Sequence, residues 1–157
     1  AYYEPGDGAS ALPKHARATG SGYHPVFDLG FCKLGVAICY DRHFQGTMRQ
    51  LALGGADLVL CPSVTFGRKS REAWDAEFVC DALRHGIFIG GSNRRGSESP
   101  WEVSYFGEGY FTGPNGRLEN LSDEAHLIIA EIDLRQRKQD DPSGWDLVRD
   151  LRPEIGD

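Results

Sequence analysis

One cysteine stands where the chain turns from apolar to polar. In KLGVAICYDRHF, residues 33–44, the run from Leu34 to Ile38 carries no polar side chain, and Cys39 opens the segment Tyr40-Asp41-Arg42-His43. A thiol becomes a nucleophile at neutral pH when a base takes its proton or a cation lowers its pKa. Asp41, Arg42 and His43 offer both kinds of group, although adjacency along the chain does not bring them to the sulfur. From position alone Cys39 has two readings. It is a small inert residue at a strand end, or it is a nucleophile lifted into a cleft. In the second reading the Tyr40 N–H points at a developing oxyanion, as in a nucleophile elbow.

The other candidates are weaker. Arg42 and His43 could line the mouth of a pocket, and Arg42 could equally pair with a carboxylate of the adjoining helix. Thr65 and Phe66 leave the next strand on the same edge as Cys39, as substrate contacts or as a plain turn. Asn93 sits at a third strand end, where a turn-forming structural role is favoured. Cys32, Cys61 and Cys80 read as inert. The four cysteines show neither C-x-x-C spacing nor the density of a disulfide scaffold. Reduced thiols and a cytoplasmic setting are therefore expected. His24, His85 and His126 are scattered without metal-ligand spacing, so no metal is expected. GGSNRRG is not followed by the lysine and serine that close a phosphate-binding loop, and no cofactor is expected.

Positioning such a cysteine takes a strand before it and a helix after it. Residues 23–29 and 32–38 read as strands joined by a turn at Gly30. Residues 47–53 have helical composition, with Gly54-Gly55 as the stop. Residues 57–62 form a short apolar strand. In the next segment Trp74, Phe78 and Leu83, with Ala73, Val79 and Ala82, recur at helical intervals. Ser70 can cap that helix and Gly86 can end it. Residues 87–91 are a further buried strand. Strand, helix, strand, helix, strand is the grammar of an α/β layer structure. Later, GPNG marks a reverse turn between two strands, and residues 126–134 read as another strand.

Residues 1–22 are rich in Gly, Pro, Ala and Ser and read as a loop, whereas the charged tail from 135 to 157 reads as an interface segment. The chain has 157 residues, enough for one core. Its net charge of -6 argues against a nucleic-acid or anionic-membrane partner. No apolar run approaches the roughly 20 residues of a membrane span.

Five blocks in order carry a resemblance: GVAICYDRHF, GGADLVLCPSVT, DALRHGIFIGGSNRRG with its preceding tryptophan, YFGEGYFTGPNG and HLIIAEIDL. Together they resemble the carbon–nitrogen hydrolase (nitrilase) superfamily over residues 23–134, and RDLRPEI looks like its C-terminal segment. Within it, YHPVF and ICYDRHF are most similar to amidases, N-carbamoyl amino acid hydrolases and β-ureidopropionase. The resemblance implies an α-β-β-α sandwich, of which this chain looks like the C-terminal half. It implies Cys39 as nucleophile, the Tyr40 N–H as oxyanion donor, and hydrolysis of a linear amide or N-carbamoyl compound through a thioester. Copies of the chain are expected to pair.

The same resemblance implies a general-base glutamate and a lysine upstream of the cysteine. YYEPGD resembles a segment that follows both, so the first half of the sandwich is expected in the same gene product or another chain. Glu4 and Lys14 read as loop residues rather than substitutes. Where the family commonly has Phe-Pro-Glu after the cysteine motif, this chain has Phe44-Gln45-Gly46. Two other readings stay open: a catalytically incompetent nitrilase-like assembly subunit, and a redox-sensing thiol protein, weakened because no resolving cysteine is near Cys39 in sequence.

Overall fold

The computed structural model describes residues 17–19, 24–100, 102–138, 141–147, 149–150 and 152. Glu4 and Lys14 lie outside them. The elements run β1 (Arg17–Thr19), β2 (Val26–Asp28), β3 (Lys33–Val36), α1 (Gln45–Leu53), β4 (Leu58–Ser63), α2 (Arg68–His85), β5 (Phe88–Asn93), β6 (Arg95–Glu98), β7 (Val103–Phe106), β8 (Tyr110–Gly113) and β9 (Gly116–Arg117), with a 3-10 turn at Cys39–His43 and another at Leu134–Lys138. Among the described residues the main sheet has seven strands in the order β1-β2-β3-β4-β5-β8-β9, and β6 pairs with β7 apart from it. The centre, β3-β4-β5, is parallel, and the flanks are antiparallel.

Both helices cover one face of this sheet. The register aligns Gly35, Val59 and Ile89 across β3, β4 and β5. Side chains alternate between faces along a strand, so Gly35 and Gly91 point the same way. A Cβ at Gly35 would meet Leu51 of α1, and one at Gly91 would meet Phe78 and Trp74 of α2. The two glycines let the helices approach closely. Val26, Met48, Leu51, Val59, Trp74, Phe78, Ala82 and Ile89 are fully buried between the layers. The opposite face is left partly open, with Val36, Ile38 and Val64 between 38% and 52% exposed.

Several boundaries differ from the sequence expectations. Residues 17–19, expected within a loop, pair with β2. The first helix begins at Gln45, two residues early. The second begins at Arg68 after Gly67, whose φ of 86° suits glycine, so Ser70 lies inside the helix and does not cap it. Gly86 ends it as expected, in a left-handed conformation with its N–H bonded to the Ala82 carbonyl. Leu83 is 43% exposed, and the core-facing position beside Ala82 is taken by Asp81.

Residues 126–134 form no strand. Their backbone finds local partners instead: Leu121 N–H donates to the Ile129 carbonyl, and Ile129 N–H donates to the Asn120 side chain. Two bonds do not make a ladder. The GPNG turn joins β8 to β9 as expected. From the tail, Arg137 pairs with Asp57 and donates to the Gly86 carbonyl, closing the edge where β4 and β5 begin. Among the described residues no helix is long and apolar enough to cross a membrane.

Candidate active site

The site is made where three parallel strands stop pairing. Ala37 N–H donates to the Leu60 carbonyl at 3.0 Å, the last such bond of this segment. The chain then bends into the 3-10 turn Cys39–His43. Asp41 makes the bend: its carboxylate accepts from Ile38 N–H at 3.0 Å. Cys39 itself has φ 52°, a left-handed conformation that is uncommon for a residue with a side chain. Backbone of this kind persists where surrounding contacts over-determine it. It also lifts the thiol out of the sheet.

A cleft of about 500 Å³ opens at this edge. Each parallel strand contributes its C-terminal end: Ile38 and Cys39 after β3, Pro62 to Val64 at β4, and Ser92 to Arg94 at β5. The crevice outside the carboxyl ends of parallel strands is where α/β sheets bind ligands. The Cys39 thiol is half-buried and lies 3.9 Å from the Val64 carbonyl. Tyr40 begins the second residue of the 3-10 turn, where the first N–H groups have no partner within the turn.

The side chains of the polar residues adjacent to Cys39 in sequence are directed to partners other than its sulfur. Asp41 is used at the bend. Arg42 is 2% exposed, with Nη1 donating to the Cys39 carbonyl at 2.7 Å and its guanidinium 5.2 Å from the Trp74 ring centroid. His43 Nδ1 lies 2.6 Å from Glu77 on α2. Successive residues of a 3-10 turn point about a third of a revolution apart, so sequence neighbours diverge. Arg42 pairs with Glu77 of α2 rather than with α1, which carries no carboxylate, and it is not among the cleft-lining residues.

The expected pocket residues after β4 are displaced similarly. Thr65 is buried, held on its backbone by Asn93. Phe66 is half-exposed and packs edge-on against Tyr105 at 5.8 Å. The strand runs on through Ser63, so Ser63 and Val64 line the cleft and Thr65 turns inward. Asn93 is structural, but it clamps Thr65 from the end of β5 instead of forming the expected turn, and it also lines the cleft.

Sequence reasoning missed Val64, Arg94 and Glu77, although it allowed for a carboxylate on the helix. Glu77 carried a faint signal, one turn after Trp74 and next to Phe78 on the buried stripe. Cys61 lies beneath Cys39. Burial pushes its thiol above the ordinary value, and the Ser63 hydroxyl, Arg42 and the Cys39 backbone pull it partly back. Among the described residues, no carboxylate and no lysine lines the cleft.

Comparison with known proteins sets this geometry in context. The family profile described as "Carbon-nitrogen hydrolase" matches residues 1–140. N-carbamoylputrescine amidase of Arabidopsis thaliana is 29% identical over 83% of this chain and 48% of its own length. Beta-ureidopropionase of Arabidopsis thaliana is 31% identical over 74% of this chain and 32% of its own. The chain thus spans about half the length or less of these relatives. Among solved structures, a mutant amidase from Nesterenkonia sp. AN1 superposes with a TM-score of 0.68 and 26% identity, over 99% of this chain and 54% of that one. That structure shows the result of Michael addition of acrylamide at the active site cysteine.

Proposed function

The chain belongs to the carbon–nitrogen hydrolase family, and on that premise we propose that it carries the nucleophile of a thiol-dependent hydrolase of linear amides or N-carbamoyl compounds. The observation that carries the reading is Cys39: a left-handed residue at the end of a central parallel strand, opening onto the cleft. Relatives named for amidase and carbamoyl chemistry support the substrate class.

In the reaction, the Cys39 thiol gives its proton to a base and the sulfur attacks the carbonyl carbon. The oxygen takes the negative charge, and the Tyr40 N–H stabilises it. Collapse breaks the C–N bond, and the nitrogen leaves as an amine or ammonia after receiving the proton. A thioester remains. Water, losing a proton to the same base, attacks it and releases the acid and the thiol. A thioester made this way splits one difficult hydrolysis into two easier steps.

The base, and a cation facing the oxyanion, would come from a glutamate and a lysine outside the cleft-lining residues described above. The exposed apolar face bearing Val36, Ile38 and Val64 suits a second sheet packed upon it. This is the half-sandwich reading. Pairing of copies through the helical layer and a cytoplasmic setting belong to the same proposal. Among the described residues no carboxylate or lysine lines the cleft, and a competing reading, a non-catalytic assembly subunit, would rest on that.

Intact mass under denaturing conditions separates the two. Incubation of the native protein with an amide or N-carbamoyl substrate analogue should add one acyl mass, and Cys39→Ala should lose it. A native protein that takes up no adduct at any pH would establish the assembly reading instead.

A further inference from the structure

A buried cation sits under the Cys39 turn and leans on a single helix carboxylate. The Arg42 side chain is 1% exposed, and its Nε lies 3.2 Å from Glu77 Oε2, close enough for charge pairing but out of line for a hydrogen bond. The other Glu77 oxygen is 2.6 Å from His43 Nδ1. Arg42 Nη1 in turn donates to the Cys39 carbonyl at 2.7 Å. A buried guanidinium without a counter-charge is strongly disfavoured. The carboxylate therefore decides where Arg42 rests.

We infer that Glu77 is a positioning residue for the nucleophile. Anchored on α2, it holds Arg42 and His43, two residues of the Cys39–His43 turn, from below. Through Arg42 it pulls on the Cys39 carbonyl and keeps the left-handed backbone at φ 52°. That carbonyl belongs to the peptide whose nitrogen is the Tyr40 N–H. One carboxylate thus sets both the direction of the thiol and the aim of the oxyanion donor. Glu77 touches neither the sulfur nor the cleft, so its effect passes through Arg42. The inference rests on the reading of Cys39 as the nucleophile.

The chain contains its own controls for a test. Iodoacetamide forms an S–C bond with a thiolate, releasing iodide, and modification is read cysteine by cysteine from peptide masses of the native protein. Cys80 is exposed and reports intrinsic thiol reactivity, whereas Cys61 is buried and reports opening of the core. In the wild type, Cys39 should react faster than Cys80. Glu77→Gln should slow Cys39 about tenfold or more, leave Cys80 unchanged and keep Cys61 protected. A purely structural role would expose Cys61 without singling out Cys39.

If Glu77→Gln exposes Cys61, Arg42→Lys decides. Lysine keeps the buried charge but has no planar fork to bridge Glu77 and the Cys39 carbonyl. The same selective slowing at Cys39 is expected, and unchanged Cys39 reactivity in a folded variant overturns the inference. Wild-type Cys39 no faster than Cys80 would refute the nucleophile reading instead, so the two failures are distinguishable.

Discussion

The Asn93 carboxamide meets the Thr65 backbone twice, accepting from its N–H at 2.8 Å and donating to its carbonyl at 3.1 Å. A side chain thereby extends the β4–β5 pairing two residues past the end of β4. Val64, whose carbonyl lies 3.9 Å from the Cys39 sulfur, is held between Ser63 and this clamp. The clamp thus fixes the backbone on the far side of the Cys39–Val64 contact by two hydrogen bonds.

Asn93→Ala removes both bonds and leaves the buried Thr65 amide and carbonyl without partners. The expected cost is about 2 kcal/mol in unfolding free energy. Asn93→Asp keeps the acceptor for the Thr65 N–H but turns the donor facing the Thr65 carbonyl into a second acceptor, so it should not recover the loss. Chemical denaturation of the three proteins checks this.

The left-handed backbone of Cys39 predicts an unusual substitution order. Extended backbone within a strand favours β-branched side chains. At φ 52° the order reverses. Gly should be at least as stable as Ala, and Val should be less stable than Ala by about 1–2 kcal/mol. Thermal denaturation of Cys39→Gly, Cys39→Ala and Cys39→Val would expose the strain, and a Val variant as stable as Ala would show that none exists.

Gly91 should resist even the smallest side chain. Its Cβ would fall on the Phe78 and Trp74 rings, which are fully buried and packed edge to face at 4.8 Å. Gly91→Ala is expected to lose about 2 kcal/mol through overpacking. Gly116→Ala, where no atom crowds the site, tests backbone strain alone at φ 106°. Urea midpoints of the two variants separate the causes.

Asp81 makes stability depend on pH. Burial lifts its pKa to about 6, against the pull of Arg84 and with a push from Glu77. The folded value lies above the unfolded value, so the stabilising contribution of neutral Asp81 is complete below about pH 4. It is lost as pH rises through about 6. Asp81→Asn should match the wild type at pH 4 and exceed it by about 2 kcal/mol at pH 8. Denaturant titrations at the two pH values measure the difference, and equal stabilities at pH 8 would contradict it.

Much of the scaffold was legible in the residues. The switch from LGVAI to CYDRH placed a cysteine at a strand end, because apolar runs mark buried strands and polarity marks their exit. Trp74 and Phe78 marked the buried stripe of α2, although Leu83, expected on it, faces solvent, and Gly86 marked the helix end. Such patterns are local: each reflects one element's preference for a face or a turn, and the alternation of strands and helices then restricts the layers.

The working arrangement around Cys39 was not local. Arg42 and His43 share the turn while Glu77 belongs to α2, Asn93 and Thr65 lie on different segments, and only the packing of α2 and β5 beside the turn decided that they meet. For the same reason residues 126–134 have the composition of a strand and no ladder, since a strand exists only where a neighbour pairs with it. Sequence by itself determined the layer pattern and the position of the thiol. Tertiary structure decided which charges face one another, because charge pairing depends on distance across the fold and composition carries no record of that distance.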